Sequence, residues 1–166
     1  MSEVTLTKNL CIPFLATSGA GTQQSPYVWA QIDKSTIFAL NANPQSEDMD
    51  YICYETPVTV IDHYEPELPQ EIVMNEGNPM YNFIFGLFYN LPVGTAAQVP
   101  LLICFPTKST TASDRKAWQI TNCTLELGEM NTVDKKITFT LKLGGDITKG
   151  YYTITSGTPS FSTTAS

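Results

Sequence analysis

The sequence predicts a mainly β protein, in which antiparallel strands pack with one short α-helix. Only 15% of the 166 residues are charged, while Thr, Ser, Asn, Gly and Pro are abundant, a balance that favours strands and turns. Alternation supports this, because every second residue of the segment 137–143 is large and apolar. We expect one domain over residues 1–166, with an N-terminal arm at about 1–13 and a loose tail at about 156–166.

The first half of the chain predicts a hairpin and a further short strand. Residues 27–32 and 36–40 are two β-prone runs around a polar Asp-Lys-Ser turn. An Asn-Pro pair then ends the second run and opens a loop, residues 41–55. Residues 58–64 predict another strand, which is followed by a proline-spaced acidic loop, residues 65–71.

The second half predicts longer strands. Residues 99–106 form a continuous apolar run between prolines, which is typical of a strand buried on both faces. In residues 117–129 the apolar alternation changes phase, and a bulge near Asn122 would restore it. Gly144-Gly145 predicts a turn, and residues 149–157 predict a final strand.

One helix is expected between Gly77 and Pro92. Its apolar residues recur at helical spacing along one stripe, at Met80, Phe83, Ile84, Leu87, Phe88 and Leu91. Asn78 is a favourable N-cap with Pro79 at the first helical position, and Pro92 ends the helix. A helix of about 12 residues is too short to cross a bilayer, so we expect no membrane insertion.

Phe85 and Tyr89 lie off this stripe, on a second apolar face of the same helix. If the sheet of the same subunit covers the first face, the second face is left for a neighbour. We therefore predict that Phe85 and Tyr89 belong to a subunit interface.

Charge is unevenly distributed along the chain. The formal net charge is −7, which argues against a surface built to bind nucleic acid. Between Lys34 and Lys108 there is no lysine or arginine, but that interval holds the carboxylates of Glu47, Asp48, Asp50, Glu55, Asp62, Glu65, Glu67, Glu71 and Glu76. One segment therefore carries most of the negative field.

No catalytic, cofactor-binding or metal site is expected. His63, the only histidine, would have to act with Asp62, and strand alternation places these two side chains on opposite faces. Glu47 and Asp48 are adjacent in the expected loop, where solvated acids are more common than the paired carboxylates of a glycosidase. We predict a protein that is not an enzyme.

The cysteines are scattered, and none forms the Cys-x-x-Cys pair that suits zinc or redox chemistry. We expect free and mostly buried thiols at Cys11, Cys53, Cys104 and Cys123. The first ten residues lack the basic and apolar regions of a secretory signal, which favours a protein made in a cytoplasm.

Four features follow one another along the chain. Asn43-Pro44 is followed by acids and Tyr51-Ile52, an acid-rich strand and loop come next, an aromatic helix is closed by a proline, and a terminal hairpin ends in Lys-Gly-x-x-Thr-Ile-Thr at residues 149–155. In this pattern the chain, over about residues 25–163, resembles the major tail tube proteins of long-tailed, siphovirus-like phages and prophages of Gram-positive bacteria. None of these motifs is a catalytic signature.

The resemblance implies an antiparallel β-sandwich or partial barrel with one flanking helix. It also implies hexameric rings that stack into a hollow tube, in which inner strands of neighbouring subunits surround a lumen. DNA would pass through this lumen without specific binding. The implied partners are other copies of the chain and the tape measure, tail tip and terminator proteins, and the implied location is the virion tail, assembled in the cytoplasm of the bacterial host.

An acidic lumen suits this role, because carboxylates repel DNA and let it slide. We expect lumen-facing residues among Glu47, Asp48, Asp50, Glu55, Asp62, Glu65 and Glu67. Alternatively, these acids only keep an exposed surface soluble. The loop 41–55 and the arm 1–13 are candidates for contacts between stacked rings.

Two other functions remain open at this point. Head decoration or tail completion would be a role in the same kind of assembly. A monomeric β-sandwich that binds carbohydrate would use aromatic side chains such as Trp29 and Trp118 as stacking platforms, although both tryptophans lie inside predicted strands.

Overall fold

A computed structural model describes residues 3–165, apart from the side chain of Lys8. Met1, Ser2 and Ser166, the outermost residues of the expected arm and tail, lie outside the described residues. The strands are β1 Ile12–Ser18, β2 Val28–Gln31, β3 Pro44–Met49, β4 Val58–Tyr64, β5 Glu67–Val73, β6 Gln98–Cys104, β7 Lys116–Asn131, β8 Lys136–Lys142, β9 Ile147–Thr155 and β10 Thr158–Ser162. The helical elements are α1 Pro79–Asn90 and three 3₁₀ turns, Lys8–Leu10, Gly94–Ala97 and Ala112–Asp114.

The predicted mainly β architecture is confirmed. The large sheet runs in the order β10-β9-β7-β6-β1-β2, and β8 pairs with both β7 and β5. Strands β3 and β4 form a separate two-stranded sheet. All pairs are antiparallel, and the large sheet folds into a partial sandwich rather than a closed barrel.

Strand β7 is long enough to belong to both halves of this sandwich. Its first residues pair with β9 and its last residues with β8, along the same edge. Lys142 pairs with Thr124, and Ile147 pairs with Ile120, so β8 and β9 run in the same direction. The segment with Gly144-Gly145 therefore does not reverse the chain as a hairpin turn would. This segment connects β8 to β9, which pair with successive parts of the same edge of β7.

The bulge predicted near Asn122 is confirmed. Val99 of β6 pairs with Cys123, but Leu101 pairs with Ile120, so β7 carries one extra residue between these pairs. The extra residue lets both Ile120 and Cys123 point into the core, where both are fully buried. The bulge repairs the phase of the apolar alternation.

The main core lies between the two halves of the sandwich and the helix. It contains buried residues of β1, β5, β6, β7 and β8 together with Met80 and Ile84 of α1. A smaller cluster on the other face of the sheet joins Phe14 and Cys104 to Leu102 and Ala117. Strand β6 contributes to both clusters, which confirms that it is buried on both faces. Each large aliphatic side chain buried in this way contributes about 1.5–3 kcal/mol.

Strand β1 is a central strand that the sequence did not predict. Phe14 and Leu15 are almost completely buried between β6 and β2. The expected arm therefore ends before Ile12, where β1 begins. The run is short, contains a proline and is followed by glycines, so it lacks a clear local signal. Its identity as a strand comes from the edge of β6 that it occupies.

The predicted hairpin of residues 27–32 and 36–40 is wrong in its second strand. Strand β2 forms, but the following segment lies along the edge of β5 instead of pairing with β2. The N–H of Thr36 donates to the carbonyl of Glu71 at 2.8 Å, and the N–H of Asn41 donates to that of Glu67 at 2.9 Å. This edge of β5 holds few ladder bonds, because Pro69 has no N–H to donate.

Two segments expected as loops are strands. Residues 67–73 form β5, because Leu68, Gln70 and Ile72 alternate inward while Pro69 and the two acids face outward. Residues 44–49 form β3 inside the expected loop 41–55, paired with β4. Polar composition hid this strand, since neither of its faces is buried.

The expected loose tail also contains a strand. Residues 158–162 form β10, which pairs with β9. Ser156 and Gly157 both have positive φ, 51° and 79°, as a two-residue hairpin turn of the type I′ class requires. This turn allows the chain to reverse directly and add an edge strand.

The predicted helix is confirmed at both ends. The side chain of Asn78 accepts hydrogen bonds from the N–H groups of Met80 (3.0 Å) and Tyr81 (3.1 Å). The helix ends in a left-handed residue, Leu91, whose N–H donates to the carbonyl of Leu87 at 2.9 Å. Pro92 prevents further helical turns. Within residues 3–165, no helix is long and apolar enough to cross a membrane.

Candidate assembly surfaces

The β3–β4 hairpin stands apart from the core. Every residue from Asp50 to Glu65 is exposed, and the hairpin shares no ladder with the large sheet. A two-stranded hairpin of this kind is marginally stable on its own. Its exposed apolar side chains are Tyr51, Ile52, Tyr54, Val58, Val60, Ile61 and Tyr64. An ordered, exposed apolar element is typical of a surface that another molecule covers.

The expected lumen-facing acids do not share one face. Cross-strand pairing places Glu47 with Val60 on one face and Asp48 with Thr59 on the other. The hydroxyl of Thr59 donates to a carboxylate oxygen of Asp48 at 2.7 Å. Asp50 and Glu55 lie in the tip that joins the strands. The prediction that Glu47 and Asp48 occupy a loop is wrong, because both lie in β3.

A second bulge brings His63 next to Asp62. Gln45 pairs with His63 and Ser46 pairs with Ile61, so Asp62 is the extra residue and the alternation fails there. The prediction that Asp62 and His63 point to opposite faces is therefore wrong. Asp62 Oδ2 lies 2.7 Å from His63 Nδ1, and Glu65 Oε1 lies 3.2 Å from His63 Nε2.

Both ring nitrogens of His63 face carboxylates, which only accept hydrogen bonds. A neutral imidazole has one N–H, so only the protonated ring can donate to Asp62 and Glu65 at once. These hydrogen bonds raise the pKa of His63, the one to Asp62 most strongly. Although the group is exposed, its surroundings favour the charged form.

Two carboxylates of the acidic segment between Lys34 and Lys108 form ion pairs with lysines of the neighbouring strand. Lys142 of β8 contacts Glu67 of β5, and Lys136 Nζ lies 2.8 Å from Glu71 Oε1. The hydrogen bond from Lys142 lowers the pKa of Glu67, and that from Lys136 lowers the pKa of Glu71. The antiparallel register of β5 and β8 thus supplies the cations that the local sequence lacks. Glu67 differs in this respect from the other expected lumen residues.

The remaining expected lumen acids all lie on the hairpin or at its base: Glu47, Asp48, Asp50, Glu55, Asp62 and Glu65. The hairpin contains no lysine or arginine, and His63 is its one histidine. Its negative field is therefore concentrated on a protruding, two-faced element. The sequence predicted a loop at Glu47 and Asp48, whereas both lie in β3; that any of these acids faces a lumen stays a prediction.

The outer face of α1 is exposed in the isolated chain. Phe85 is 44% exposed and Tyr89 is 78% exposed, while Met80 and Ile84 face the core. The rings of Tyr81 and Phe85 lie 6.0 Å apart, which gives this face an aromatic surface. Leu91 and Val93 extend the exposed apolar surface beyond the helix. The side chains expected at an interface are thus free to contact another copy.

A groove lies where the base of the hairpin meets the open end of the sandwich. It encloses about 420 Å³ and is lined by Leu40, Ala42, Tyr64, Pro66, Trp118, Ile147 and Lys149. We call it the Trp118 groove. The ring of Phe105 packs edge-on against that of Trp118 at 4.9 Å. A neighbouring cavity shares Trp118 and Lys149 and adds Lys116 and Asp114.

The tryptophans considered for carbohydrate binding are both half-buried. Trp118 packs against the main core, and Trp29 packs against the smaller cluster. Trp29 also contacts Tyr27 edge-on, with ring centroids 5.2 Å apart. Each ring therefore already has packing partners, unlike the exposed side chains of the hairpin.

The cysteines are free, as predicted, and most are at least half-buried. Burial raises the pKa of the Cys104 and Cys123 thiols to about 12 and that of Cys11 to about 11, which keeps them protonated and unreactive. Cys53 is exposed at the hairpin tip. No group of three or more histidine, cysteine or acidic side chains in residues 3–165 could hold a metal ion.

The fold has counterparts among solved structures. It is similar to the fold of a chain in a contractile injection system. That structure is described as the sheath/tube terminator, in its extended state, of an extracellular contractile injection system called PVC. The similarity has a TM-score of 0.53 at 7% sequence identity and covers 90% of this chain and 99% of that one.

A second similar chain belongs to the baseplate of the anti-feeding prophage, in a six-fold symmetrised structure. Its TM-score is 0.46 at 9% identity, with 90% of this chain and 97% of that chain covered. No protein-family model matches the sequence, and no curated protein matches it either.

Proposed function

We propose that this chain is a structural subunit of a phage-type tail, a tail tube protein that assembles with copies of itself into rings. By the resemblance the rings are hexameric and stack into a hollow conduit for DNA ejection. The observation that carries the proposal is the fold similarity over nearly the whole chain to a sheath/tube terminator. The order of motifs in the sequence supports the same class of protein independently.

The exposed apolar surfaces support self-assembly. The outer face of α1, with Phe85 and Tyr89, and the β3–β4 hairpin are ordered but uncovered in the isolated chain. They lie on different elements, so a contact between either patch and a different surface of the next copy would join unlike patches. Such heterologous contacts close into rings or continue as filaments.

We further propose that hairpin acids line the conduit, where their charge repels DNA. Glu47, Asp48, Asp62 and Glu65 are the candidates, and because Glu47 and Asp48 lie on opposite faces of the hairpin, only one of these two can face the lumen. Glu67 is left out, because Lys142 compensates its charge. Asp50 and Glu55 are left out because they lie in the tip of the hairpin, for which a separate contact between copies is proposed.

Electron microscopy and sedimentation of the purified chain over a concentration series test the assembly. We expect rings at moderate concentration and hollow tubes at high concentration. A strictly monomeric chain under all conditions would reject the proposal. The role of the hairpin acids in the conduit is tested by Glu47→Lys. The matched control is Glu76→Lys, because Glu76 lies near the start of α1 and not on the hairpin. Glu47→Lys should leave the tubes intact and reduce DNA delivery, while Glu76→Lys should change neither.

A tail completion protein is the second candidate, and the similarity to a sheath/tube terminator favours it specifically. A protein in this role would end a tube instead of extending it. The same concentration series separates the two functions, since a completion protein should stop at single rings. Rings that bind the end of preformed tail tubes would support this second candidate.

A further inference from the structure

We propose that the tip of the β3–β4 hairpin of one copy docks into the Trp118 groove of a second copy. The tip is the segment 50–57. This inference rests on the proposed self-assembly and names one of its contacts.

The tip presents an exposed apolar side chain. Ile52 is fully exposed, between Tyr51 and Tyr54, whose rings meet edge-on at 6.1 Å. The N–H of Tyr54 donates to the carbonyl of Tyr51 at 3.0 Å and closes the turn that holds Ile52 outward. Among the described residues nothing covers this side chain. A second apolar surface would remove it from water.

The groove offers such a surface. Leu40, Pro66, Trp118 and Ile147 form most of its walls, and its volume of about 420 Å³ remains open in the isolated chain. The indole of Trp118 is held in place by Phe105. A fixed aromatic wall is typical of pockets that receive an apolar anchor.

Charge complementarity selects the tip as the occupant. Asp50 and Glu55 flank the exposed side chains of the tip. Lys149 lines the groove, and Lys116 lines the adjoining cavity together with Asp114, whose carboxylate accepts a hydrogen bond from Ser109 Oγ at 2.7 Å. Within the described residues neither lysine forms an ion pair, in contrast to the paired lysines of β8. The two carboxylates of the tip and the lysines Lys149 and Lys116 therefore attract each other.

The geometry requires a second copy. Tyr64, at the base of the hairpin, is part of the groove wall. The tip lies at the other end of strands that pair over six positions, or about 20 Å. A hairpin cannot place its tip at its own base, so the tip that fills the groove must come from another molecule. The contact joins unlike patches, as ring closure or stacking requires.

Cross-linking through the exposed Cys53 of the tip tests the contact. The chain carrying Ala42→Cys places a second thiol in the exposed part of the groove. A short bis-maleimide should then join different copies into covalent oligomers. Val133→Cys, at the exposed β7–β8 turn, is the matched control and should yield none. Cys53→Ser combined with Ala42→Cys should abolish the product.

Charge reversal provides a second test. Lys149→Glu and Glu55→Lys should each raise the concentration at which assembly begins by about tenfold, and their combination should restore it. Lys108→Glu, a change of equal charge at another exposed lysine, should have less effect.

The outcomes of the two tests separate this contact from the proposed function. Rings or tubes of the Ala42→Cys chain that form without the cross-linked product would overturn this contact but retain the proposed function. The product in a preparation that never forms rings would support the contact and reject the ring. Absence of both would overturn both.

Discussion

Glu71 of β5 and Lys136 of β8 form an ion pair across the sheet, with 2.8 Å between Oε1 and Nζ. The two residues lie 65 positions apart in the sequence, and the antiparallel register of β5 and β8 makes them diagonal neighbours. The hydroxyl of Thr36 donates to the same carboxylate oxygen at 2.6 Å. The acidic segment is thus partly compensated by residues that follow it along the chain.

The ion pair predicts a pH-dependent contribution to stability. The pKa of Glu71 is lowered, chiefly by the hydrogen bond from Lys136, so its stabilising effect is present at neutral pH and is lost as the pH falls through the folded-state pKa. Glu71→Gln should therefore lower the urea midpoint at pH 7. Below the folded-state pKa of Glu71 it should have little effect. Glu76→Gln is the control, an exposed acid outside the strands. An unchanged midpoint at pH 7 for Glu71→Gln would contradict the prediction.

For His63 we expect the opposite dependence of stability on pH. Its pKa is raised above the ordinary value of 6.5, so the contribution of its two hydrogen bonds is complete below that value and is lost as the pH rises through the folded pKa. Because His63 is the only histidine, one imidazole resonance reports its titration by NMR. Asp62→Asn together with Glu65→Gln should lower this pKa toward 6.5. A wild-type titration at or below that value would refute the arrangement.

Substitution of two glycines by alanine should have opposite effects on stability, because Gly128 lies in the bulge after Leu127 and Gly86 lies in α1. A Cβ on Gly128 would lie 2.5 Å from Thr138 Oγ1 and 3.0 Å from the carbonyl oxygen of Thr138. Gly128→Ala should lower the free energy of unfolding by about 1–3 kcal/mol. Gly86→Ala, inside α1 with open space around it, should raise it by about 0.5–1 kcal/mol. Equal effects of the two changes in urea denaturation would show that the bulge does not crowd this position.

We expect substitutions on the outer face of α1 to affect assembly, and substitutions on its inner face to affect stability. Tyr89→Ser should change the free energy of unfolding by less than about 0.5 kcal/mol, because Tyr89 is 78% exposed, but should shift sedimentation toward smaller species. Phe88→Ala removes a side chain packed against the main core and should cost about 2 kcal/mol or more. If Tyr89→Ser leaves assembly unchanged at all concentrations, the interface lies elsewhere.

The sequence by itself determined the elements whose signals are local. The N-cap Asn78, the proline after it and the apolar stripe specify α1 without help from the rest of the chain. The strict alternation of β8 and the phase change near Asn122 likewise follow from which side chains must leave water. These features depend on spacing within one segment, so the residues alone reveal them.

Only the tertiary structure decided which weakly patterned segments became strands. Strand β1 forms by pairing with the edge of β6, and β3 forms by pairing with β4. The segment 36–40 lies along β5 and does not pair with β2. Hydrogen-bond partners from distant parts of the chain make these assignments, and no local pattern encodes them. The same contacts bring Lys136 to Glu71, and the bulge at Asp62 turns His63 toward two carboxylates. Charge composition was visible in the sequence, but the pairing of those charges was set by strand register.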